Sequence, residues 1–300
     1  MTMGTPGFYT VGFVGLGHMG GAMAARLLAA GYPVCGTSRS PGRAKPLLSA
    51  GLCWHDTPRE VAASAQVVLT SVSDDDALYA VASGPDGILA GLATAAIWMD
   101  MSTVSPRASR DLAARVAAQG AVLLDAPVSG SVPQVRTGTL TIMVGGDPDS
   151  YARVEPILAE LGTPSLVGAN GQGLALKLAI NISLAAQMLA LGEGLLLAER
   201  SGVDRELALR LMTSSAIGSP MLKARAPMVL DPPDEAWFDI SLLRKDLELA
   251  LDTAQRLGIP LPTAERADET LTSARALGYD RRDIAALFEV LERSAAQRTP

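Results

Sequence analysis

A chain of 300 residues with 31 acidic and 25 basic side chains carries a net charge of −6, and no run of Lys or Arg offsets it. That balance excludes an electrostatic nucleic-acid binder, although a local basic spot can still hold a phosphate. With 48% hydrophobic, 19% charged and only 4% aromatic residues, the chain can bury a large core and is not a disordered polymer. Its Ala, Leu, Val and Gly suit helices packed on a parallel sheet. The two cysteines, Cys35 and Cys53, are too few for a disulfide framework and read as small buried hydrophobes. Met1–Tyr9 is short, polar and Gly/Pro-bearing, unlike a secretory leader. No stretch reads as a membrane span: Ala175–Leu197 is interrupted by Lys177, Asn181, Gln187 and Glu193. A cytoplasmic soluble protein with no nucleic-acid or membrane partner is expected.

In chain order, Thr10–Val14 reads as a strand, followed by a glycine turn and a helix from Met19 to Ala30 that Gly31 closes and Pro33 follows. A strand at Val34–Thr37 and a helix at Pro41–Ala50 come next. Further strands are expected at Val67–Ser71, Ile97–Asp100, Ala121–Asp125, Leu140–Val144 and Ser165–Val167, separated by helical patterns and loops. Such alternation predicts an α/β, doubly wound parallel sheet. After Gly168 the pattern changes. Gly171-Gln-Gly173 opens a long helix from Leu174 to Ser201, and the remainder reads helical, broken at Gly218-Ser-Pro, Asp231-Pro-Pro-Asp and Gly258-Ile-Pro. Two domains are therefore expected: 8–168, α/β, and 169–300, all-α.

Gly15-Leu16-Gly17-His18-Met19-Gly20 follows the first strand and opens the first helix. In that context the spacing predicts a Rossmann dinucleotide loop. Its first glycine makes the turn, the second admits the pyrophosphate, and the third lets helix and sheet pack closely. The helix N-terminus offers N–H groups and positive dipole to phosphate. His18 within the loop reads as a position open to any residue. The end of the second strand, Thr37-Ser38-Arg39-Ser40, lacks the acid that binds the ribose of NAD. A guanidinium and hydroxyls suit a 2′-phosphate, so NADP is expected over NAD, with Arg43 assisting. The alternative is that Arg39 is a solvated loop charge. His55 carries no signal, and two distant histidines make no metal site, so no metal is expected.

Together with the glycine loop and Met23-Ala24, the segments Asp100-Met-Ser-Thr-Val-Ser-Pro106, Asp125-Ala-Pro-Val-Ser-Gly130, Gly138-Thr-Leu-Thr-Ile-Met-Val-Gly-Gly146, Lys177 with Asn181, and Lys245-Asp-Leu-Glu-Leu-Ala250 closely resemble the β-hydroxyacid dehydrogenases, which include 3-hydroxyisobutyrate dehydrogenase and tartronate semialdehyde reductase. The resemblance implies an N-terminal Rossmann domain, a C-terminal helical domain and an active site in the cleft between them. It also implies metal-free, reversible oxidation of a small 3-hydroxy acid, or reduction of its semialdehyde. The chemistry agrees: hydride addition leaves alkoxide charge on oxygen, which an ammonium stabilises and protonates. Lys177 takes that role. Asn181, one helical turn later, orients it or binds substrate. Ser129, Gly130 and Ser131 form the substrate-carboxylate loop. Val72 and Ser73 lie near the cofactor, Thr103 near nicotinamide and substrate, and Lys245 closes over both. For Lys245 the alternative is a surface charge paired with Asp246 or Glu248. A homodimer or homotetramer packing through the helical domains is implied as well.

Four departures from the family pattern stand out: Ser131 in place of a second glycine, Ile180 in place of an Asn, Arg26 in place of an Asn, and Ser71-Val-Ser-Asp in place of a Leu-Pro type sequence. Ser131 and Ile180 leave the substrate open. Two other readings are an imine reductase, which lacks this lysine and the Ser-Gly loop, and a non-catalytic dinucleotide-binding scaffold, which would have lost the lysine. Met221, Trp237 and Phe238 either shape the far end of the pocket or belong to the core.

Overall fold

The computed structural model describes residues 9–296. The stretch read for a leader falls almost wholly outside the described residues, as do the outermost ends of both expected domains. The chain divides into two compact units between Lys177 and Leu178, inside the long helix. The sheet itself ends at Gly168, where the sequence placed the change of character.

The first unit is a nine-stranded sheet with helices between its strands. In order these are β1 (Val11–Val14), α1 (His18–Ala29), β2 (Val34–Thr37), α2 (Lys45–Ser49), β3 (Cys53–Trp54), α3 (Pro58–Ser64), β4 (Val67–Thr70), α4 (Asp75–Ala82), α5 (Ile88–Gly91), β5 (Ile97–Asp100), α6 (Pro106–Ala117), β6 (Val122–Asp125), β7 (Val128–Ser129), α7 (Val132–Thr137), β8 (Leu140–Gly145), α8 (Pro148–Leu161) and β9 (Gly162–Gly168). A 3-10 turn at Pro41–Ala44 precedes α2 and divides the helix expected at Pro41–Ala50. The strand order is β3-β2-β1-β4-β5-β6-β8-β7, with β9 beside β8. From β1 to β6 every pairing is parallel, whereas β8 runs antiparallel to β6 and β7. The sheet is thus parallel from β3 to β6 and mixed beyond it. Strands β1, β2, β4 and β5 are buried along their whole length, as a sheet covered on both faces requires. This is why they read as unbroken apolar runs.

Cys35 is buried, and burial pushes its thiol up to about 11, so it is chemically quiet. Cys53 is exposed, against the expectation, because β3 is a two-residue strand at the sheet edge.

The second unit is built from most of α9 (Gln172–Arg200), with α10 (Arg205–Ser214), α11 (Pro220–Leu230), α12 (Ile240–Leu257), α13 (Pro262–Ala276) and α14 (Leu287–Ala296). Leu191, Leu195, Leu243, Leu247, Leu271 and Leu287 lie in its own core. Met221 and Phe238 pack against that core, while Trp237 is 40% exposed. The buried Arg225–Asp283 pair fixes the preceding loop, since Asp283 also accepts from the backbone of Trp237 (2.9 Å) and Phe238 (3.2 Å).

One expectation is corrected by α9. At 29 residues it is long and apolar enough to cross a membrane by length and composition alone. Its polar residues do not interrupt the helix. Lys177 and Asn181 are instead taken into the protein, 8% and 0% exposed, as happens along the core helix of a globular protein.

The start of α9 is tied to the sheet by Asp125, the last residue of β6. Its carboxylate accepts from Gly171 N at 2.7 Å and Leu174 N at 3.0 Å, meeting two N–H groups that a helix start leaves open. The approach is close: a Cβ on Gly173 would sit 2.4 Å from Met143 O and 2.8 Å from Asp125 Oδ2. Asp125→Ala leaves both buried donors without an acceptor and should cost about 3 kcal/mol. Urea denaturation of the variant against wild type measures it.

Candidate active site

The glycine loop separates its three roles sterically. Gly15 has φ +97°, and a Cβ there would meet Ser71 O at 2.3 Å. At Gly20 a Cβ would lie 2.0 Å from Gly15 O. At Gly17 nothing lies within 4 Å. Two glycines are therefore demanded by the protein, and the third leaves open space at the N-cap of α1, where a pyrophosphate can approach the backbone. A dinucleotide fits this cradle. Leu16 turns into the core, Met19 is half-buried, and His18 is exposed.

The ends of neighbouring parallel strands bring the other residues expected to bind cofactor to the same end of the sheet. Thr37, Thr70 and Asp100 end β2, β4 and β5, in register with one another through β1 and β4. Beyond β2, Ser38 is half-buried, while Arg39, Ser40 and Arg43 are exposed. Beyond β4, Val72 N donates to Ser102 Oγ at 2.9 Å, which fastens the Val72–Ser73 loop to the loop carrying half-buried Thr103. Ser73 donates to Asp74, the N-cap of α4.

Beneath these loops runs a buried relay: Trp98 Nε1 donates to Thr70 Oγ1 at 3.0 Å, and Thr70 Oγ1 donates to Asp100 Oδ1 at 2.6 Å. Asp100 Oδ1 also accepts from Ser102 N at 3.2 Å, whereas Oδ2 has no hydrogen-bond partner among the described residues. Burial is the main reason its carboxyl is pushed above the usual range.

Ser129 ends β7 and is half-buried. Gly130 has φ +129°, and a Cβ there would meet Leu140 Cδ2 at 2.7 Å. Ser131 is the N-cap of α7, its N–H donating to Gln134 Oε1 at 2.9 Å. That bond is made by the backbone, and nothing in the structure explains a serine where a second glycine is usual. Arg26 finds a structural role. It donates to Glu160 O and, at 2.9 Å, to Arg136 O, satisfying carbonyls near the ends of α8 and α7.

Lys177 and Asn181 stand one turn apart on α9, both buried. In the second unit Asn181 Nδ2 donates to Asp246 Oδ2, and Lys245 Nζ lies 2.9 Å from Asp246 Oδ1. The pairing of Lys245 with Asp246 is therefore real, yet Asp246 is 2% exposed, so this is no surface pair.

Sequence reasoning assigned no role to Asp100 or Asp125 and named Asp246 only as an alternative surface partner of Lys245. Each had a visible signal: an acid that ends an apolar strand, or one that falls on the apolar face of a helix.

Residues 10–171 match the family model described as the NAD binding domain of 6-phosphogluconate dehydrogenase, and residues 171–291 match that described as the NAD-binding of NADP-dependent 3-hydroxyisobutyrate dehydrogenase. The mitochondrial 3-hydroxyisobutyrate dehydrogenase of Bos taurus is 34% identical over 289 residues, covering 94% of this chain and 86% of its own length. The chloroplastic glyoxylate/succinic semialdehyde reductase 2 of Arabidopsis thaliana is 30% identical over 287 residues, covering 95% and 80%. The crystal structure of a 3-hydroxyisobutyrate dehydrogenase from Salmonella typhimurium is similar with TM-score 0.86 at 29% identity, covering 94% of this chain and 99% of that one.

The raised carboxyl of Asp100 binds its proton more tightly in the folded chain than in the unfolded one. The stability it lends is complete below the ordinary carboxylate value and is lost as pH rises through the raised, folded value. Asp100→Asn lacks that loss. Its melting temperature relative to wild type should improve as pH is raised from below the ordinary carboxylate range toward neutrality, which a pair of melting series reads directly.

Proposed function

The chain belongs to the β-hydroxyacid dehydrogenase family, and we propose that within it this NAD(P)-dependent oxidoreductase moves a hydride between NADP(H) and a small 3-hydroxy acid or its semialdehyde, with Lys177 as general acid and base. The observation that carries this reading is the setting of Lys177. It is 8% exposed, it stands one turn before the fully buried Asn181, and its helix starts on the Asp125 carboxylate. When bound, the nicotinamide supplies or takes the hydride. The Lys177 ammonium meets the charge that grows on the carbonyl oxygen and gives it a proton. In the oxidative direction the neutral amine takes the proton back. With water largely excluded, that exchange runs between lysine and substrate rather than through solvent.

NADP as the preferred cofactor is supported by Thr37-Ser38-Arg39-Ser40, which holds no acid to repel a 2′-phosphate, and by the exposed guanidinium groups of Arg39 and Arg43. A carboxylate on the substrate is supported by the Ser129–Gly130 turn, whose hydroxyl and backbone N–H groups suit an anion. The test is the initial rate of NADPH and NADH oxidation with methylmalonate, tartronate and succinate semialdehydes and with glyoxylate. Wild type should turn over one of them and favour NADPH. Lys177→Ala should lose roughly a thousandfold in kcat, and Arg39→Ala should raise the KM for NADPH roughly tenfold while leaving NADH unchanged. An NADH preference overturns the role of Arg39 alone. No rate with any of them overturns the substrate class.

A homodimer or homotetramer formed through the helical unit is part of the same reading. Leu197 is 72% exposed at the end of α9, and Leu207 and Leu211 on α10 are 37% and 56% exposed, an apolar surface that a second copy would cover. Light scattering should give the mass of two or four chains, and the mass of one chain rejects it.

A further inference from the structure

Asp246 is out of place on its helix. Ile240, Leu243, Leu247, Ala250 and Ala254 form the buried face of α12, and Asp246 lies within it. At 2% exposure a carboxylate is costly, and apolar residues in place of a whole buried ion pair commonly give equal or greater stability. Folding alone therefore does not account for it. Its two oxygens are used differently: Oδ2 accepts a hydrogen bond from Asn181 Nδ2, and Oδ1 forms no hydrogen bond among the described residues but lies 2.9 Å from Lys245 Nζ as an ion pair.

The chemistry of the pair with Asn181 is directional. The two ends of an asparagine amide are alike in shape and opposite in character, one a donor and one an acceptor. An ionised carboxylate only accepts, so it selects the Nδ2 end and thereby fixes where Oδ1 lies. The choice of amide end therefore decides whether Asn181 turns an acceptor or a donor away from Asp246. The second oxygen meanwhile holds the Lys245 ammonium on its own helix. One buried acid sets both the hydrogen-bonding sense of Asn181 and the place of a cation.

We propose that Asp246 is a positioning residue of the reaction, which orients the Asn181 amide and tethers the Lys245 ammonium so that substrate meets both already aligned. This rests on the hydride-transfer reading given above. Groups held in register before reaction contribute to rate in a way that groups free to turn do not.

The test uses the full chain with Asp246→Asn, which keeps the shape and removes the charge, and Asp246→Leu, which completes the apolar face. Three quantities are read: melting temperature, kcat and KM for the semialdehyde that wild type turns over, and the rate at which trinitrobenzenesulfonate modifies Lys245, followed by peptide mass. Asp246→Leu is expected to melt below wild type, because it leaves the buried Asn181 Nδ2 donor without its acceptor, and Asp246→Asn, which keeps an acceptor there, is expected to melt close to wild type. Both variants are expected to lose roughly a hundredfold in kcat with KM changed severalfold at most, and to expose Lys245 to severalfold faster modification. A Leu variant with kcat within about threefold of wild type, or losses of kcat that merely follow losses of melting temperature in both variants, overturns the proposal. Unchanged Lys245 reactivity in both variants also overturns it, whatever wild type catalyses. If wild type is inert toward every acid-aldehyde while Lys245 still becomes more reactive in the variants, the tether stands and the hydride-transfer reading fails instead.

Discussion

The carboxylate of Asp125 is the contact on which the arrangement of this protein depends most. Asp125 ends β6, parallel to β5 on one side and antiparallel to β8 on the other, and its carboxylate accepts from N–H groups at the start of α9, the helix that carries Lys177 and Asn181. A helix start is a concentration of unsatisfied donors and partial positive charge, and a buried carboxylate matches both. Burial raises its carboxyl, and the hydrogen bonds from Gly171 and Leu174 act against that rise. The charge is thus tolerated because the helix is there, and the helix begins where it does because the charge is there. Neighbouring contacts confirm how tightly the junction is made: Asn170 Nδ2 donates to Leu123 O at 2.8 Å, and Gly171 takes φ +87° against Pro106 and Arg110.

Three buried acids each hold segments that carry residues expected at the site, two in the first unit and one in the second. Asp125 seats a helix on the sheet. Asp100 gathers Thr70 and the Ser102 backbone, and through Ser102 Oγ the loop at Val72. Asp246 sits among Asn181 and Lys245. The three differ in how their charge is met: by helix N–H groups, by hydroxyl and amide donors that leave one oxygen unpartnered among the described residues, and by an ammonium with an amide. Loops and helices that carry site residues are thereby fastened by polar contacts of fixed direction, whereas packing alone is non-directional.

Much of the fold was legible because its causes are local. Val34–Thr37 and Ile97–Asp100 were placed to the residue, since fully buried strands are short apolar runs bounded by turn signals. The glycine loop was legible to the level of each glycine's role, and the steric environments of Gly15, Gly17 and Gly20 differ in the way those roles demand. What went unread depended on partners distant in sequence. Arg26 was an unexplained departure until the ends of α7 and α8 proved to supply carbonyls for it. Cys53 was taken as buried because a cysteine carries no sign of lying on a sheet edge. The antiparallel placement of β8 was equally hidden, since strand pattern does not encode direction.

The sequence by itself determined that a dinucleotide loop precedes a helical region, that no acid follows the second strand, and that a lysine and an asparagine occupy one face of a long helix. These follow from spacing along the chain, where the 3.6-residue and two-residue periods leave a direct imprint. Only the tertiary structure decided which charges are buried and what they hold. Asp246 and Asn181 are 65 residues apart, and Asp125 and Leu174 are 49. Burial of a charge is a property of everything packed around it, and its free energy depends on whether a partner arrives from another element. A Lys-Asp pair on a helix looks alike in sequence whether it is solvated or sealed, and packing against other elements makes the difference.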